Sequence, residues 1–360
     1  MTASVAASLA LPFAHAASAA APAAGPAAAD VRTAPRPAPR TTPTYLIEAG
    51  LEGEVFPAFA NYASLQRPDE RRWGTIAVTI TNSTDAPLRN RLTVKVPGWS
   101  DEEIQLAEMP AGDRRTYLFA PTFLPRFYQN HEIAAATALV TVTDMAGRQL
   151  FTGTQAVRLR AVTDMFWGTD FKYAPFIASW VTPHDPEVER ILARAKDYMP
   201  GKRLPGYERR KPAAAQERST FLQARAIYLA LQSSGLSYVK SSMTFGGNAG
   251  WSERVRTPRL ALSQRSANCI DAAVMYASLF ENLDMEPVVV VVPGHAYVGV
   301  RTAPGSNRYL YIETAQTARI GFEAALAAAE RGIARYPLSQ IRVIKIHDAR
   351  EAGIFPLPLP

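Results

Sequence analysis

The sequence predicts a multidomain protein in which an N-terminal all-β sandwich is followed by an α+β domain. A length of 360 residues is typical of two domains. Apolar and polar residues alternate with a period of two through residues 45–165, as in half-buried strands. From about residue 166 onward, apolar residues recur instead at helical spacing between shorter β-like runs.

The composition limits the chemistry that the chain can support. A net charge of +7 favours contact with anionic surfaces such as a cell envelope, but no long Lys/Arg cluster indicates a nucleic-acid partner. A single cysteine excludes an internal disulfide and any zinc site built from several thiolates. The spacing H-E-x-x-H is also absent, so we expect neither a metal nor another cofactor.

The N-terminus has the pattern of an export signal. Residues 1–16 combine a short apolar core, Val5–Phe13, with the small-x-small cleavage pattern Ala14–Ala16. The core is too short to span a bilayer, so we expect no transmembrane span in the mature chain. Because no Lys or Arg precedes the core, an Ala-rich tail or an upstream start is the alternative. The prediction is a periplasmic or secreted bacterial protein.

Residues 17–44 form an Ala/Pro-rich segment, which predicts a disordered linker because repeated proline prevents a helix. The β-domain follows at 45–165. Ile76, Val78 and Ile80 alternate on one face of a strand, and two later runs are joined by a hairpin turn at 144–147. Five or more short strands without a helical period predict an immunoglobulin-like sandwich. We interpret it as a spacer or adhesion-like module.

Residues 166–360 predict the α+β domain. Its third predicted helix begins at Cys269 after Asn268, a residue type that caps helices. The apolar run Pro287–Pro293 predicts a buried strand. The remaining predicted elements are helices over 186–199, 215–234 and 321–336 and strands over 296–301, 309–314 and 340–346.

Three residues with chemically active side chains lie on successive elements of this domain. Cys269 falls at a helix N-terminus, where the dipole and free N–H groups stabilise a thiolate and can bind an oxyanion. His295 begins the strand that follows the buried run Pro287–Pro293, and Glu313 lies on the next strand after that one. A cysteine, a histidine and a carboxylate in this order are the layout of a thiol acyl-transfer triad. The alternatives are a small buried cysteine, a turn histidine and a solvated strand glutamate.

Three blocks of sequence carry a family resemblance. "NCIDAAVMYASLFENLDMEPVVVVVPGHAYVGV" and the later "YLYIET" resemble the core of the transglutaminase-like superfamily of papain-like cysteine enzymes. The closest resemblance is to a bacterial branch with a C-x-D-x-A helix, a P-G-H-A-[FY]-V-G strand and an E-T strand. It extends to "IASWVTPHDPEV", "ERVRTPRLAL" and "IHDAREAGIFPLP". It therefore covers about residue 166 to the C-terminus and none of the β-domain.

The resemblance implies a papain/transglutaminase-like fold for this domain and a role for each of the three residues. Cys269 matches the nucleophile and His295 matches the base. Glu313 stands where the better-known members carry aspartate, although either carboxylate can orient an imidazole.

The second oxyanion donor has several candidates. Papain-like enzymes use a glutamine shortly before the cysteine, a place that Gln264 could fill. Animal transglutaminases use an upstream tryptophan, for which Trp251 is the candidate. The backbone N–H of Cys269 is a third donor, and it needs no particular side chain.

The same region offers candidates for the walls of a cleft. Asp271 falls on the first turn of the helix, where a carboxylate is favourable with the dipole, so we expect it to be structural. Arg256 and Tyr238 are cleft candidates, with packing or a loop position as the alternative.

These observations lead to a functional hypothesis with two rivals. The leading prediction is an exported transglutaminase-like cysteine hydrolase, a protease or amidase that acts on protein or peptide amides, with substrates in the cell envelope. Hydrolysis is favoured over cross-linking because bacterial members of the superfamily are more often proteases or amidases. The first rival is a non-catalytic envelope-binding scaffold that keeps the fold. The second is a redox sensor, which lacks a resolving cysteine.

Overall fold

The computed structural model describes residues 42–208, 210–240, 243–247 and 250–359. The predicted signal peptide (1–16) and residues 17–41 of the predicted linker lie outside the described residues. The chain mixes helices with several sheets and divides into two compact units. Among the described residues, the first unit contains 42–55, Ala63–Phe127 and Glu132–Arg160, and the second contains Phe56–Tyr62, Tyr128–His131 and the chain from Ala161 onward.

The first unit is built from strands. They are β1 (Thr44–Ala49), β2 (Glu54–Val55), β3 (Ile76–Thr81), β4 (Leu88–Lys95), β5 (Glu103–Met109), β6 (Arg114–Phe119), β7 (Ala134–Asp144) and β8 (Gln149–Leu159). One sheet has the order β1-β3-β6 and is antiparallel, and the other has the order β2-β8-β7-β4-β5 with only the β2–β8 pair parallel.

Burial along these strands agrees with the alternating pattern in part. In β4, Leu92 and Val94 are fully buried between more exposed neighbours, as expected for a strand with one solvated face. The predicted apolar face of β3 is also buried, but so are Ala77 and Thr79 on its other face. The expectation of a half-exposed β3 was therefore wrong. The predicted hairpin is confirmed, because Gly147 N–H donates to Asp144 O at 3.0 Å between β7 and β8.

The prediction of no helical period within 45–165 was wrong, because Pro57–Ser64 forms helix α1. Phe59 in this helix is fully buried, and its ring lies 5.2 Å from Tyr173 and 4.2 Å from Phe176. Apolar residues at Phe56, Phe59 and Ala60 have helical spacing. Two turns are too short for that spacing to stand out against the surrounding β pattern.

The second unit carries the remaining elements. Its strands are β9 (Asp164–Gly168), β10 (Ser237–Tyr238), β11 (Met243–Gly247), β12 (Gly250–Arg254), β13 (Ser266–Ala267), β14 (Pro287–Val292), β15 (His295–Arg301), β16 (Tyr309–Ile312) and β17 (Arg342–Lys345). Its helices are α2 (Pro186–Ala195), α3 (Ala213–Ser233), α4 (Pro258–Gln264), α5 (Cys269–Asn282), α6 (Phe322–Ile333) and α7 (Ile346–Glu351). The largest sheet of this second unit is antiparallel and has the strand order β16-β15-β14-β17.

Helix α5 is the centre of this unit. All residues from Ile270 to Phe280 are buried, which is the pattern of a helix enclosed on every side. It packs against β14 and β15 of the antiparallel sheet. The predicted bounds, Cys269 to Asn282, are confirmed. The helix body is therefore buried and only its two ends reach solvent, since Cys269 at the N-terminus and Glu281 and Asn282 at the C-terminus are half-buried.

The turn between β14 and β15 places the histidine. Every residue of β14 is buried, as predicted for its continuous apolar run. Val292 pairs with His295 across a turn made by Pro293 and Gly294, and Gly294 has a φ of +76°, a region that favours glycine. His295 is therefore fixed as the first residue of β15.

Several short elements were not predicted. They include β9, β12, β13, α4 and α7, and most of them are too short for a periodic pattern to develop. Within the described residues, no helix combines the length and apolar character needed to cross a bilayer. In the same part of the chain, no group of three or more His, Cys, Asp or Glu side chains is arranged to hold a metal ion.

Candidate active site

Cys269 is the first residue of α5 and is partly exposed. A reciprocal capping box fixes the chain on either side of it. Asp271 N–H donates to Asn268 Oδ1 at 2.8 Å, and Asn268 N–H donates to Asp271 Oδ2 at 3.0 Å. Such a box stabilises a helix start by satisfying donors that the helix itself leaves unpaired. The sulfur of Cys269 is therefore carried by a rigid backbone.

The same helix end can bind an oxyanion. The first N–H groups of an α-helix have no partner inside the helix. Here Asp271 N–H is used by the capping box, and Ala272 N–H donates to Asn268 O at 3.0 Å. The N–H groups of Cys269 and Ile270 are the two at the helix end that neither interaction uses. Together with the helix dipole they favour a negative charge beside the sulfur.

Glu313 holds His295 through a direct hydrogen bond. His295 Nε2 lies 2.8 Å from Glu313 Oε2, and Glu313 is only 5% exposed. Its other oxygen, Oε1, accepts the N–H of Ala315 at 2.8 Å. Both carboxylate oxygens are thus engaged, so the side chain is oriented by its surroundings. Glu313 follows the last residue of β16, Ile312, so its predicted position on the strand was wrong by one residue.

The imidazole also meets the thiol. Cys269 lies close enough to His295 that hydrogen bonding and the charge of its sulfur raise the pKa of the imidazole. Since Nε2 is bonded to Glu313, Nδ1 is the ring nitrogen left for the sulfur. The ring of Tyr297 meets the imidazole edge to face, with 4.6 Å between centroids and an angle of 82°. Cys269, His295 and Glu313 therefore lie next to one another in this order, and a direct hydrogen bond joins the last two.

The surroundings favour the protonated form of His295. Burial lowers the pKa of its imidazole, but the hydrogen bonds and charges of Cys269 and Glu313 outweigh burial and raise the pKa from 6.5 to about 10. At neutral pH the ring therefore keeps both N–H groups. One N–H faces the carboxylate, and the other can donate to a thiolate, so the pair can hold a thiolate and an imidazolium together.

Asp271 and Arg256 form an ion pair behind the cysteine. Asp271 is fully buried, accepts Arg256 N–H at 2.7 Å and lies 2.8 Å from Arg256 Nη1. Burial raises the pKa of the Asp271 carboxyl, although its bonds to Asn268 and Arg256 oppose the rise. Asp271 thus ties the segment before α4 to the start of the cysteine helix, which is a structural position.

Tyr238 stands at the rim of the site. It pairs with Ala267 in the parallel β10–β13 ladder and is 49% exposed. Its pKa is raised by burial and then by the nearby negative charges of Cys269 and Glu313, which places its hydroxyl within electrostatic range of both. Tyr238 also lines a small cavity with Ala272, Thr314 and Ala315, which are near neighbours in sequence of Cys269 and Glu313.

Two oxyanion candidates lie elsewhere. Trp251 on β12 stacks on Trp167 with 5.6 Å between ring centroids and meets Phe171 edge to face at 4.9 Å. Gln264 is the exposed last residue of α4 and lines a cavity beside Arg256. Among the described residues, neither side chain forms a hydrogen bond with Cys269 or His295. The backbone N–H groups of α5 remain the donors that the geometry favours.

Sequence reasoning missed several residues of this region. Tyr297 and Ala315 support the imidazole and the carboxylate, yet an aromatic residue on a strand and a backbone N–H give no distinctive signal. Glu253 on β12 has a pKa raised to about 7 by burial and by the charge of Asp271. The cations Arg254 and Lys240 line the cavity with Gln264. Because Lys240, Arg254 and Gln264 are separated in sequence, no motif indicates that they line one cavity.

Comparison of the chain with protein-family models and with curated proteins found no match.

Proposed function

We propose that this protein is a cysteine hydrolase, a protease or amidase of transglutaminase-like type, that cuts protein or peptide amides by thiol acyl transfer. The observation that carries the proposal is the position of Cys269 beside His295, whose imidazole is hydrogen-bonded to Glu313, at the half-buried start of helix α5. We further propose that the second unit has the papain/transglutaminase-like fold and that the first is an immunoglobulin-like sandwich. The cysteine helix followed by an antiparallel sheet supports the former, and the two sheets of the first unit support the latter.

The first step is attack by sulfur. The Cys269 thiolate adds to the carbonyl carbon of the amide, a C–S bond forms, and the electron pair of the C=O bond moves to oxygen. The resulting oxyanion accepts hydrogen bonds from the N–H groups of Cys269 and Ile270, where the helix dipole adds to their effect. Removing one such donor typically costs about 10²–10³ in rate in other enzymes.

The second step is loss of the amine. Imidazolium of His295 gives its proton to the amide nitrogen, the C–N bond breaks, and a thioester on Cys269 remains. Neutral His295 then accepts a proton from water, whose oxygen attacks the thioester. The C–S bond breaks, the acid leaves, and the thiolate and imidazolium are restored. Glu313 keeps the ring oriented in both steps through its 2.8 Å bond.

Digestion of a peptide library tests the proposal. The full chain is incubated with peptides of random sequence, and new termini are identified by mass spectrometry. We expect cleavage that is lost in Cys269→Ala and in His295→Ala, with the folded state checked by circular dichroism. A matched control is His347→Ala, because His347 is an exposed residue paired with Glu351 on α7.

Two results would contradict the proposal. Products that persist in Cys269→Ala would show that another group, or a contaminant, performs the chemistry. Absence of any product with both a random library and a denatured proteome would favour the non-catalytic scaffold instead.

A further inference from the structure

A basic cavity lies beside the cysteine helix within the second unit. Its volume is about 490 Å³, within the range of about 300–1,000 Å³ typical of ligand sites. Its described lining consists of His131, Thr163, Lys240, Arg254, Arg256, Leu260 and Gln264. These residues include two arginines and a lysine but no Asp or Glu, so the wall carries an excess of positive charge.

Arg254 is the central cation of this wall. It is half-buried on β12, its Nε donates to Thr163 Oγ1 at 3.3 Å, and its Nη2 donates to His131 O at 3.5 Å. Both acceptors are neutral, and no carboxylate pairs with Arg254 among the described residues. A guanidinium carries five donors in a planar fork that suits a carboxylate.

The other two cations differ from each other. Lys240 is exposed and has no ion-pair partner in the described part of the chain. Arg256 is paired with buried Asp271. Asp271 balances the charge of Arg256, so the excess positive charge of the wall belongs to Arg254 and Lys240. This excess charge attracts an anion into the cavity.

Two connections place this cavity close to the sulfur. Asp271, two residues after Cys269, bonds directly to Arg256 in the wall. Val239 N–H donates to the carbonyl oxygen of Ala267 at 3.0 Å, and Ala267 lies two positions before Cys269. Lys240 is the next residue after Val239. With about 3.8 Å between successive Cα atoms, these steps leave the wall within a few peptide residues of the sulfur.

We propose that this cavity binds a carboxylate of the substrate peptide, so that the enzyme selects amides that lie within a few residues of a carboxylate. The inference rests on the proposed function, since it assigns the substrate class of that site. A C-terminal carboxylate and an Asp or Glu side chain present the same group, and the test separates these two sources.

Calorimetric titration of the full chain carrying Cys269→Ala measures binding without catalysis. Three probes are used at low salt: acetyl-Ala-Ala-Ala with a free carboxyl terminus, acetyl-Ala-Glu-Ala amide and the neutral acetyl-Ala-Gln-Ala amide. We expect at least one acidic peptide to bind about tenfold or more tightly than the neutral peptide, the difference of one hydrogen-bonded charge. The stronger of the two acidic peptides identifies the source of the carboxylate.

Variants assign this preference to the cavity. Arg254→Gln and Lys240→Gln should each reduce the preference for the acidic peptide, and Arg254→Lys should retain part of it because the charge remains. Arg218→Gln is the matched control, since Arg218 is an exposed arginine that lines a different cavity of about 660 Å³. Equal affinity for the three peptides would overturn the inference, and so would a preference that survives both Arg254→Gln and Lys240→Gln.

The binding and cleavage experiments fail independently. Carboxylate-dependent binding without cleavage of any library would remove the proposed hydrolase function and leave the anion site standing. Cleavage without carboxylate preference would leave the hydrolase and remove the anion site.

Discussion

Replacement of Glu313 by glutamine isolates the contribution of its charge to the state of His295. Glutamine has the same shape, so its carbonyl can still accept the N–H of Ala315. Its amide NH₂ then faces His295 Nε2, where the carboxylate oxygen lies 2.8 Å away. Because an NH₂ group cannot accept a hydrogen bond from the ring, the variant destabilises the imidazolium and lowers the pKa of His295.

The expected change is large enough to measure. A hydrogen bond to a charged group contributes about 1.5–3 kcal/mol, and 1.36 kcal/mol corresponds to one pKa unit. The pKa of His295 in Glu313→Gln should therefore fall from about 10 to about 8–9, since the influence of Cys269 on the imidazole remains. Near pH 7 the ring stays protonated in both proteins. The two differ most at alkaline pH, where His295 loses its proton.

The assay is an NMR titration of isotope-labelled histidine side chains from neutral pH to about pH 11, beyond the alkaline midpoint expected from linkage. The chain has five histidines, and His295→Asn assigns the signal. Glu351→Gln serves as the matched control, because Glu351 forms an exposed pair with His347 and should leave the His295 midpoint unchanged. A wild-type midpoint near 6.5, or one that does not move in Glu313→Gln, would refute the proposed electrostatics.

Three further variants probe the surroundings of the triad. Asp271→Asn should lower the free energy of unfolding by about 2–4 kcal/mol, because it removes the two hydrogen bonds that Asp271 Oδ2 accepts from Arg256 and Asn268. Urea denaturation measures this change, and an unchanged midpoint would contradict the structural role of Asp271. Burial and Asp271 raise the pKa of Glu253 from 4.5 to about 7, so the folded state binds its proton more tightly and stability falls as pH rises through this window. Glu253→Gln should therefore stabilise the protein by up to about 3 kcal/mol at pH 8 and little at pH 4, and the opposite trend would exclude a buried carboxyl at this position. Gly332→Ala should slow peptide cleavage, because a Cβ at this position would overlap the Tyr297 hydroxyl and displace the Tyr297 ring that packs on His295. Unchanged cleavage kinetics would show that the Tyr297 ring does not position the imidazole.

The residues of the triad could be predicted because strong local rules act at each of them. Asn268 before an apolar helical run predicts a helix start, and the bounds of α5 follow from it. The apolar run of β14 and the Pro-Gly pair predict a hairpin whose second strand opens near His295. Glu313 was placed on a strand rather than after it, since strand ends depend on pairing with a partner strand.

Other parts depend on contacts that are distant in sequence. Helix α1 is short, and the ring of its Phe59 packs against aromatic residues more than a hundred positions later, such as Phe166 and Tyr173. The basic cavity joins residues from His131 to Gln264, which share no motif. The raised pKa of Glu253 arises from burial, a property that a strand pattern of polar and apolar residues does not report.

The most direct test of the account is the rate at which iodoacetamide alkylates Cys269 at about pH 6, where an ordinary thiol of pKa about 8.5 is almost fully protonated. Because the chain has one cysteine, intact-mass spectrometry reports this residue alone. If His295 supports a thiolate, the native protein should react about tenfold or more faster than the urea-unfolded chain, after allowance for the weaker nucleophilicity of stabilised thiolates. His295→Ala should abolish that advantage. Equal rates for the native and unfolded chains, or a native rate that His295→Ala does not change, would contradict the assignment of Cys269 as an activated nucleophile.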